Sequence, residues 1–170
     1  VGVFGFYPNK QITTGEGGMV VLDDAAAART ARLLRSQGME RPYENEIVGF
    51  NLRMTDVAAA IGRVQLRRVE GFTETRRSHA ATLTAGLADA DVSLPVERAG
   101  CRHVFHQYTV RTAERDALLG RLDVAGVEAR VFYPIPVHRL PAFQSGTDLP
   151  ETDRAAREVL SLPVAPHLSD

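Results

Sequence analysis

The sequence predicts a mixed α/β protein, and three observations support that class. Short apolar or alternating runs, which are typical of strands, are interleaved with longer stretches rich in Ala, Leu and Arg, which favour helices. The 170 residues are enough for one domain, or for two small lobes, with a sizeable core. Hydrophobic residues make up 44% of the chain and charged residues 24%, which are ordinary values for a globular protein and argue against intrinsic disorder.

Each element is predicted from its own local signal, and the first strand, being wholly apolar, is expected to be buried. In chain order the predicted elements are strands over 2–7 and 19–22, a helix over 25–37, a loop over 39–53, helices over 56–70 and 72–88, a strand over 104–111, a helix over 114–125, a strand over 127–133 and a helix over 152–160. Gly71 is expected to interrupt the long helical stretch, and a boundary between two domains is placed there.

Composition excludes several classes of partner. Lys plus Arg is 20 and Asp plus Glu is 21, a net charge of −1, which argues against nucleic-acid binding by phosphate neutralisation. The single cysteine, Cys101, excludes an internal disulfide and fits a reducing compartment. No apolar run reaches the roughly 18 residues of a membrane span, and no secretory signal is visible. We therefore expect a cytoplasmic protein without membrane or nucleic-acid partners.

The two ends of the sequence indicate a piece of a longer chain. The sequence opens on Val1 and runs at once into a predicted strand. It closes on Ser169 and Asp170, which resemble the N-cap of a further helix.

Lys10 is the sharpest candidate for chemistry. It is the only lysine among 20 basic residues, and it stands between an aromatic strand and a glycine-rich turn. Arginine stays protonated in proteins, so it can be neither a nucleophilic amine nor the partner of an imine. A lysine kept in an arginine-rich chain therefore indicates a function that arginine cannot perform. A surface lysine retained by chance is the alternative that composition leaves open.

Two further features predict no site of their own. The turn with Gly15, Gly17 and Gly18 lacks the spacing of phosphate-binding loops, so we interpret it as a tight turn that uses positive φ angles. The five histidines are scattered, and His103 and His106, three apart on a predicted strand, face opposite sides. No metal site is predicted.

The segment FGFYPNKQITTGEGGMVV, residues 4–21, resembles the region around the cofactor-binding lysine of the pyridoxal-phosphate (PLP) sugar aminotransferases of the DegT, DnrJ and StrS family. The resemblance continues in order through further short segments, which are GFNLRM at 49–54, VFHQY at 104–108, YPIPVH at 133–138 and LSLP at 160–163. It covers essentially the whole chain, which corresponds to about half of a family member. It implies the PLP-dependent transferase fold type I, with 1–71 as the C-terminal part of the large PLP-binding domain and 72–170 as most of the small C-terminal domain, truncated.

The resemblance also implies a reaction. A family member of this kind moves an amino group, with L-glutamate as the expected donor, to a nucleotide-linked keto-sugar for polysaccharide or antibiotic sugar biosynthesis. It is expected to be a cytoplasmic homodimer, and the fragment alone is expected to be inactive. Two alternatives stay open. One is a PLP-dependent sugar dehydratase, against which Lys10 argues because such relatives carry histidine there. The other is a non-catalytic regulatory or scaffold protein that retains the fold.

Carried over by position, the resemblance assigns roles to four residues. Lys10 corresponds to the lysine that joins PLP through a Schiff base and then serves as general acid and base. Asn51 corresponds to an asparagine that reaches the cofactor phosphate in the partner subunit; an amide that satisfies turn backbone is its alternative. Tyr133 and His138 lie in a segment that borders the sugar site in relatives, with ordinary loop packing as the alternative. Arg53 is expected to brace its loop.

One position departs from the family pattern. Many relatives carry a serine five residues before the lysine, where it helps hold the phosphate, and this chain has Gly5. The aspartate that pairs with the pyridine nitrogen, the ring-stacking residue and a phosphate-binding helix are expected upstream of Val1.

Overall fold

The computed structural model describes residues 1–144 and 146–168, so the predicted helix start at Ser169 and Asp170 lies outside the described residues. In chain order the elements are β1 Gly2–Gly5, β2 Gly18–Val21, α1 Ala25–Arg35, β3 Met39–Arg41, β4 Glu44–Asn45, α2 Asp56–Gly86, β5 Tyr108–Arg111, α3 Arg115–Val124, two 3₁₀ turns Val137–Arg139 and Pro141–Phe143, α4 Pro150–Glu158 and β6 Val159–Leu162. Within the described residues the strands pair as β1–β2, β3–β4 and β5–β6, each pair antiparallel.

The chain divides into two compact units, Val1–Gly71 and Phe72–Asp170. The mixed α/β class is confirmed in both units. The assignment of 1–71 to the end of a large domain and of 72–170 to a small domain stays a prediction.

The first unit is built around the β1–β2 pair and helix α1. Gly2 pairs with Val21 and Gly5 with Gly18, so the two strands run in register and the loop between them starts and ends at one edge. Helix α1 starts where the side chain of Asp24 accepts the Ala27 N–H at 2.6 Å, a standard N-cap.

Strand β1 is not buried, although its apolar sequence predicted that it would be. Val3 is 76% exposed and Phe4 is 53% exposed, and the facing strand β2 is exposed along its whole length. Within the described residues β1 pairs with β2 alone, and a sheet of two strands cannot cover its own faces, so the predicted burial is not met by these residues.

Helix α2 is continuous through Gly71, so the predicted break there was wrong. A glycine inside a helix costs about 1 kcal/mol relative to alanine, which weakens a helix without ending it. The helix has 31 residues, and strong helix formers on both sides of Gly71 outweigh the local loss. Within the described residues no helix combines the length and the apolar character that crossing a bilayer requires.

The second unit packs around the β5–β6 pair. Its core consists of apolar side chains from α2, from the segment before β5, from both strands and from the segment after β6, namely Ala80, Phe105, Tyr108, Val110, Leu160 and Val164. Tyr108 is fully buried, and its hydroxyl is 2.8 Å from the hydroxyl of Thr84, so the polar end of the ring is satisfied.

Four other local predictions differ from the structure. The strand predicted from residue 104 starts only at Tyr108, because Phe105 has a φ of 41°, which extended backbone does not allow. The segment 127–133 forms one isolated bridge, Arg130 with Ser161, instead of a strand. The loop at 39–53 contains the β3–β4 hairpin, and β6 begins where the last helix was expected to end.

Candidate active site

Lys10 lies in the loop that joins β1 to β2, at the last position of a tight turn. Its backbone N–H donates to the carbonyl oxygen of Tyr7 at 2.9 Å. Pro8 occupies the second position of this turn, where its fixed φ is already suited to the geometry. The turn therefore fixes the backbone of the lysine before any packing is considered.

The base of the loop is closed at Phe6. Its N–H donates to the carbonyl of Gly17 at 2.9 Å, and its carbonyl accepts the N–H of Thr14 and the hydroxyl of Thr13, both at 3.0 Å. The Gly15 N–H in turn donates to the Thr13 hydroxyl oxygen at 2.9 Å. Gly15 and Gly17 have φ angles of 82° and 141°, which confirms the predicted positive φ at these two positions. Gly18, which was included in the predicted turn, has no positive φ and begins β2 instead.

Glycine at position 17 is required by packing as well as by φ. A Cβ there would lie 2.7 Å from Cε of Met54 and 2.8 Å from the hydroxyl oxygen of Thr14. On helix α2, a Cβ on Gly62 would lie 2.9 Å from the methyl of Thr14. Thr14, Gly62 and Met54 thus position the lysine loop. No local signal in the sequence reveals such long-range contacts, so a part for these residues in holding the loop was not predicted.

The side chain of Lys10 is exposed and passes beside Gly5. A Cβ on Gly5 would lie 3.7 Å from Cε of Lys10, which is an ordinary van der Waals distance. Among the residues that the structure describes, none forms a hydrogen bond or an ion pair with the Lys10 amine. The amine is therefore held on a fixed backbone turn and remains available for chemistry.

Asn51 is held by the end of helix α1. The Phe50 N–H donates to the Leu34 carbonyl at 2.7 Å, and the Leu52 N–H donates to the Arg35 carbonyl at 2.9 Å. These bonds on either side of Asn51 use carbonyls that the last turn of a helix leaves unsatisfied.

Gly49 and Arg53 also hold the segment around Asn51 against the residues that follow α1. A Cβ on Gly49 would lie 2.2 Å from the backbone nitrogen of Gly38, so the two backbones touch at a point where only glycine fits. Arg53 Nη1 lies 3.4 Å from the Ser36 hydroxyl and 3.5 Å from the Gln37 side-chain oxygen. These long contacts agree with a bracing role for Arg53.

The side chain of Asn51 is exposed, and it makes no hydrogen bond within the described part of the chain. The alternative interpretation, an amide that satisfies its own turn, therefore finds no support in the contacts. The amide is presented outward from a rigid segment.

Tyr133 and His138, both predicted from the sequence to contact substrate, line one groove in the second unit. Apolar side chains of the groove come from residues 132–143, from the residue before α4 and from α4 itself, namely Phe132, Val137, Phe143, Leu149 and Ala155. Tyr133 is 73% exposed and has a φ of 54°, a strained backbone for an aromatic residue that precedes a proline. Strain of this kind is concentrated at functional sites in proteins.

The ring of His138 lies beside Asp153 of helix α4, and its buried Nε2 forms no hydrogen bond with a described residue. Its Nε2 lies 3.5 Å from Oδ1 of Asp153, and each of the two side chains is 10% exposed. Arg139 donates from Nε to the same Oδ1 at 2.6 Å and from Nη2 to Oδ2, so the arginine holds the carboxylate with both nitrogens. The Arg139 hydrogen bond, opposed by burial and assisted by the charges of Arg139, His138 and Arg157, keeps the pKa of Asp153 below its ordinary value.

The comparisons with known proteins agree with one another along the whole chain. Residues 1–170 match the DegT/DnrJ/EryC1/StrS aminotransferase family. The chain is 39% identical over 98% of its length to the "Pleiotropic regulatory protein" of Geobacillus stearothermophilus. It is 38% identical over 99% of its length to the "dTDP-3-amino-3,4,6-trideoxy-alpha-D-glucose transaminase" of Streptomyces venezuelae. It covers 47% of the first relative and 46% of the second, so it spans about half the length of the curated relatives it matches.

Two solved structures extend this similarity to the fold. S. venezuelae DesV, solved in complex with a ketimine intermediate, superposes with a TM-score of 0.94 at 38% identity, over 98% of this chain and 47% of DesV. The sugar aminotransferase Spr1654 of Streptococcus pneumoniae in its PLP form superposes with a TM-score of 0.82 at 26% identity, over 99% of this chain and 47% of Spr1654. The fold is thus similar to that of solved sugar aminotransferases, and the chain belongs to the DegT/DnrJ/EryC1/StrS aminotransferase family.

Proposed function

We propose that this chain is the cofactor-lysine half of a PLP-dependent aminotransferase that moves an amino group from L-glutamate to a nucleotide-linked keto-sugar. The observation that carries the proposal is the Lys10 amine, which has no partner among the described residues and stands on a rigid turn. Family membership and relatives whose names specify sugar transaminases support the same reaction.

The residues present fit the cofactor. PLP, when bound, supplies an electron sink that stabilises negative charge at the substrate carbon. Lys10 would hold it through Nζ, which requires an amine free of ion pairs, and the same Nζ would then move a proton between substrate atoms. Gly5 leaves open space beside the lysine side chain, where a cofactor phosphate could approach the backbone of β1.

Asn51 is proposed to reach the cofactor phosphate of a second copy of the chain. Its exposed amide makes no hydrogen bond to a described residue, and the contacts of Phe50 and Leu52 with α1 fix the backbone on both sides. An amide held in this way can donate to a phosphate oxygen without ordering a loop first. This role implies a homodimer, which we propose as the functional form.

Tyr133 and His138 are proposed to contact the sugar substrate. They share one groove, and the Asp153–Arg139 pair supports the His138 side of it. We further propose that 1–71 completes the large cofactor domain, that 72–170 forms most of the small domain, and that the enzyme works in the cytoplasm. The single cysteine, Cys101, which fits a reducing compartment, supports the location.

Chemical reduction tests the proposal directly. The full-length protein is loaded with PLP, reduced with borohydride and digested, and the pyridoxyl adduct is mapped by mass spectrometry. We expect the adduct on Lys10, the single lysine of this chain, and its loss in Lys10→Arg, which keeps the positive charge. An adduct at any other residue, or an active Lys10→Arg variant, would contradict the proposal.

A regulatory protein that retains the fold is the second candidate. The 39% identity to the Geobacillus stearothermophilus pleiotropic regulatory protein favours it. A measurement of amino transfer distinguishes the two candidates. A regulatory protein without catalysis would show no glutamate-dependent amino transfer to a keto-sugar after reconstitution with PLP, whereas an aminotransferase would.

A further inference from the structure

The loop before β5 forms a second pocket in the 72–170 unit, away from the residues assigned above. Its polar lining consists of basic and thiol side chains and one amide, namely Arg98, Cys101, Arg102, His103, His106 and Gln107. No carboxylate of a described residue contributes to this lining. A pocket lined by cations without acidic residues is suited to an anion.

Arg76 is a buried cation that packs against this loop, and no described residue serves as its counterion. Arg76 is 9% exposed, and its Nη1 donates to the backbone carbonyls of Phe105 at 3.3 Å and His106 at 3.2 Å. It forms no ion pair with any residue that the structure describes, and its Nε is buried without a hydrogen-bond partner. Burial lowers the pKa of Arg76, but a guanidinium still stays charged at neutral pH. An uncompensated positive charge therefore remains next to the pocket wall at His106.

The ring of His103 is oriented by the backbone. The Phe105 N–H donates to His103 Nδ1 at 2.9 Å, so Nδ1 is the acceptor and the N–H of the neutral ring lies on Nε2. The ring also packs against Phe105 with centroids 4.2 Å apart. His103 is thus a fixed hydrogen-bond donor in the wall of the pocket.

Two of the arginines around the loop are paired with glutamates, and two form no ion pair with a described residue. Arg77 pairs with Glu97 at 2.8 Å and Arg102 pairs with Glu74. Arg98 forms no side-chain hydrogen bond or ion pair with a described residue, and Arg76 has no ion pair. Arg76 and Arg98 are therefore two positive charges that form no ion pair with a described residue.

We propose that this pocket binds a phosphate or diphosphate group, with Arg98, Arg102 and the Nε2–H of His103 as its donors. Guanidinium and imidazole N–H groups are the donors that recognise phosphate oxygens. The group could be the diphosphate of the nucleotide-linked substrate, which rests on the proposed function, or a free phosphate compound. Both sources share this recognition chemistry.

Cys101 is an exposed thiol in the same pocket, which makes it a built-in reporter. The rate of its modification in the full-length protein is measured by peptide mass spectrometry with two reagents, the dianionic Ellman disulfide and neutral N-ethylmaleimide. The ratio of the two rates isolates the effect of the reagent's charge. Each rate is measured with inorganic pyrophosphate and with sodium chloride at the same ionic strength, because salt alone screens surface charge.

We expect pyrophosphate to slow both reagents at Cys101 several-fold more than chloride does. In the Arg98→Gln, Arg102→Gln double variant this protection is lost. The ratio of the rate with the dianionic reagent to the rate with the neutral reagent falls by about tenfold. Arg121→Gln, which removes an exposed arginine of α3 outside the pocket, keeps both properties. Equal protection by pyrophosphate and chloride, or protection that survives in the double variant, would overturn the proposal.

A further arm identifies the source of the phosphate. Protection by a nucleoside diphosphate at a much lower concentration than pyrophosphate assigns the pocket to the nucleotide of the substrate, and protection at equal concentrations assigns it to a free phosphate compound. The assay is also repeated with Lys10→Arg. Protection of Cys101 requires no turnover, so this test is independent of the test of the proposed function.

Discussion

Thr14 and Gly62 are in direct contact, because the Cγ2 methyl of Thr14 lies 2.9 Å from the position that a Cβ on Gly62 would occupy. Thr14 also donates its N–H to the Phe6 carbonyl at 3.0 Å, which closes the base of the lysine loop. This contact links helix α2 to the backbone that carries Lys10. A change at Gly62 should therefore affect the lysine although the two are far apart in sequence.

Gly62→Ala should destabilise the chain. Alanine gains about 1 kcal/mol of helix propensity over glycine, but forcing a methyl against Thr14 costs about 1–3 kcal/mol in a packed site. We expect a net loss of up to about 2 kcal/mol, measured by urea unfolding. Thr14→Ser removes the opposing methyl, so it should restore most of the loss in the double variant.

Gly71→Ala is the matched control on the same helix. A Cβ there meets nothing within 4 Å, so only the propensity gain applies, and the variant should be more stable by about 0.5–1 kcal/mol. If Gly62→Ala were as stabilising as Gly71→Ala, the close contact with Thr14 would be refuted.

Asn51 should act across the dimer, which mixed subunits can reveal. Lys10→Arg and Asn51→Ala are each expected to lose most activity as pure proteins, because one lacks the amine and the other a donor to the phosphate. In a mixed dimer of the two variants, one of the two sites combines an intact Lys10 with the partner's intact Asn51. We therefore expect mixing to restore activity well above that of either variant.

The same mixture distinguishes the opposite arrangement. If Asn51 served the cofactor of its own subunit, every site of the mixed dimer would carry one defect and no activity would return. Arg53→Gln, which alters the bracing contacts with Ser36 and Gln37, is the control for a general disturbance of the segment.

The second unit should lose stability in acid through Asp153. Its pKa is lowered in the folded chain, chiefly by the Arg139 hydrogen bond, so the unfolded state binds a proton at higher pH than the folded state does. The resulting stabilisation is complete above the ordinary carboxyl pKa of about 4 and disappears as the pH falls through the lower folded value.

Asp153→Asn should remove this dependence. The stability difference between the parent chain and the variant should be largest at neutral pH and should shrink as the pH falls below about 4, measured by urea unfolding at a series of pH values. Glu151→Gln, an exposed acidic position on the same helix, controls for the general loss of negative charge. A difference that stayed constant with pH would disprove the role of the carboxylate.

The local sequence predicted the elements whose signals are local. Apolar runs located β1 and β2, the stretch rich in Ala, Leu and Arg located α1, and the glycine-rich turn predicted the positive φ of Gly15 and Gly17. The candidate residues Lys10, Asn51, Tyr133 and His138 came from ordered resemblance over the whole chain, and their roles remain predictions.

The remaining features depend on contacts that no window of sequence contains. The backbone contact of Gly38 with Gly49 and the packing of Thr14 on Gly62 are set by the tertiary fold. Residues 104–111 were predicted as one strand, but Phe105 has a left-handed backbone. Its contacts with the core and with His103 favour this conformation. Propensity is a weak prior, and tertiary context decided each of these cases.

Gly5→Ser should strengthen cofactor binding. A Cβ at position 5 would meet Lys10 Cε at 3.7 Å, an ordinary contact, so serine fits without moving the lysine. Its hydroxyl could then donate to a phosphate oxygen, and a hydrogen bond to a charged group is worth about 1.5–3 kcal/mol. We expect PLP to be retained more tightly by roughly tenfold or more in equilibrium dialysis of the full-length protein. Gly5→Ala adds the same Cβ without the hydroxyl, so it should bind PLP like the parent. Equal affinities in the serine and alanine variants would show that the phosphate does not lie beside β1 at Gly5.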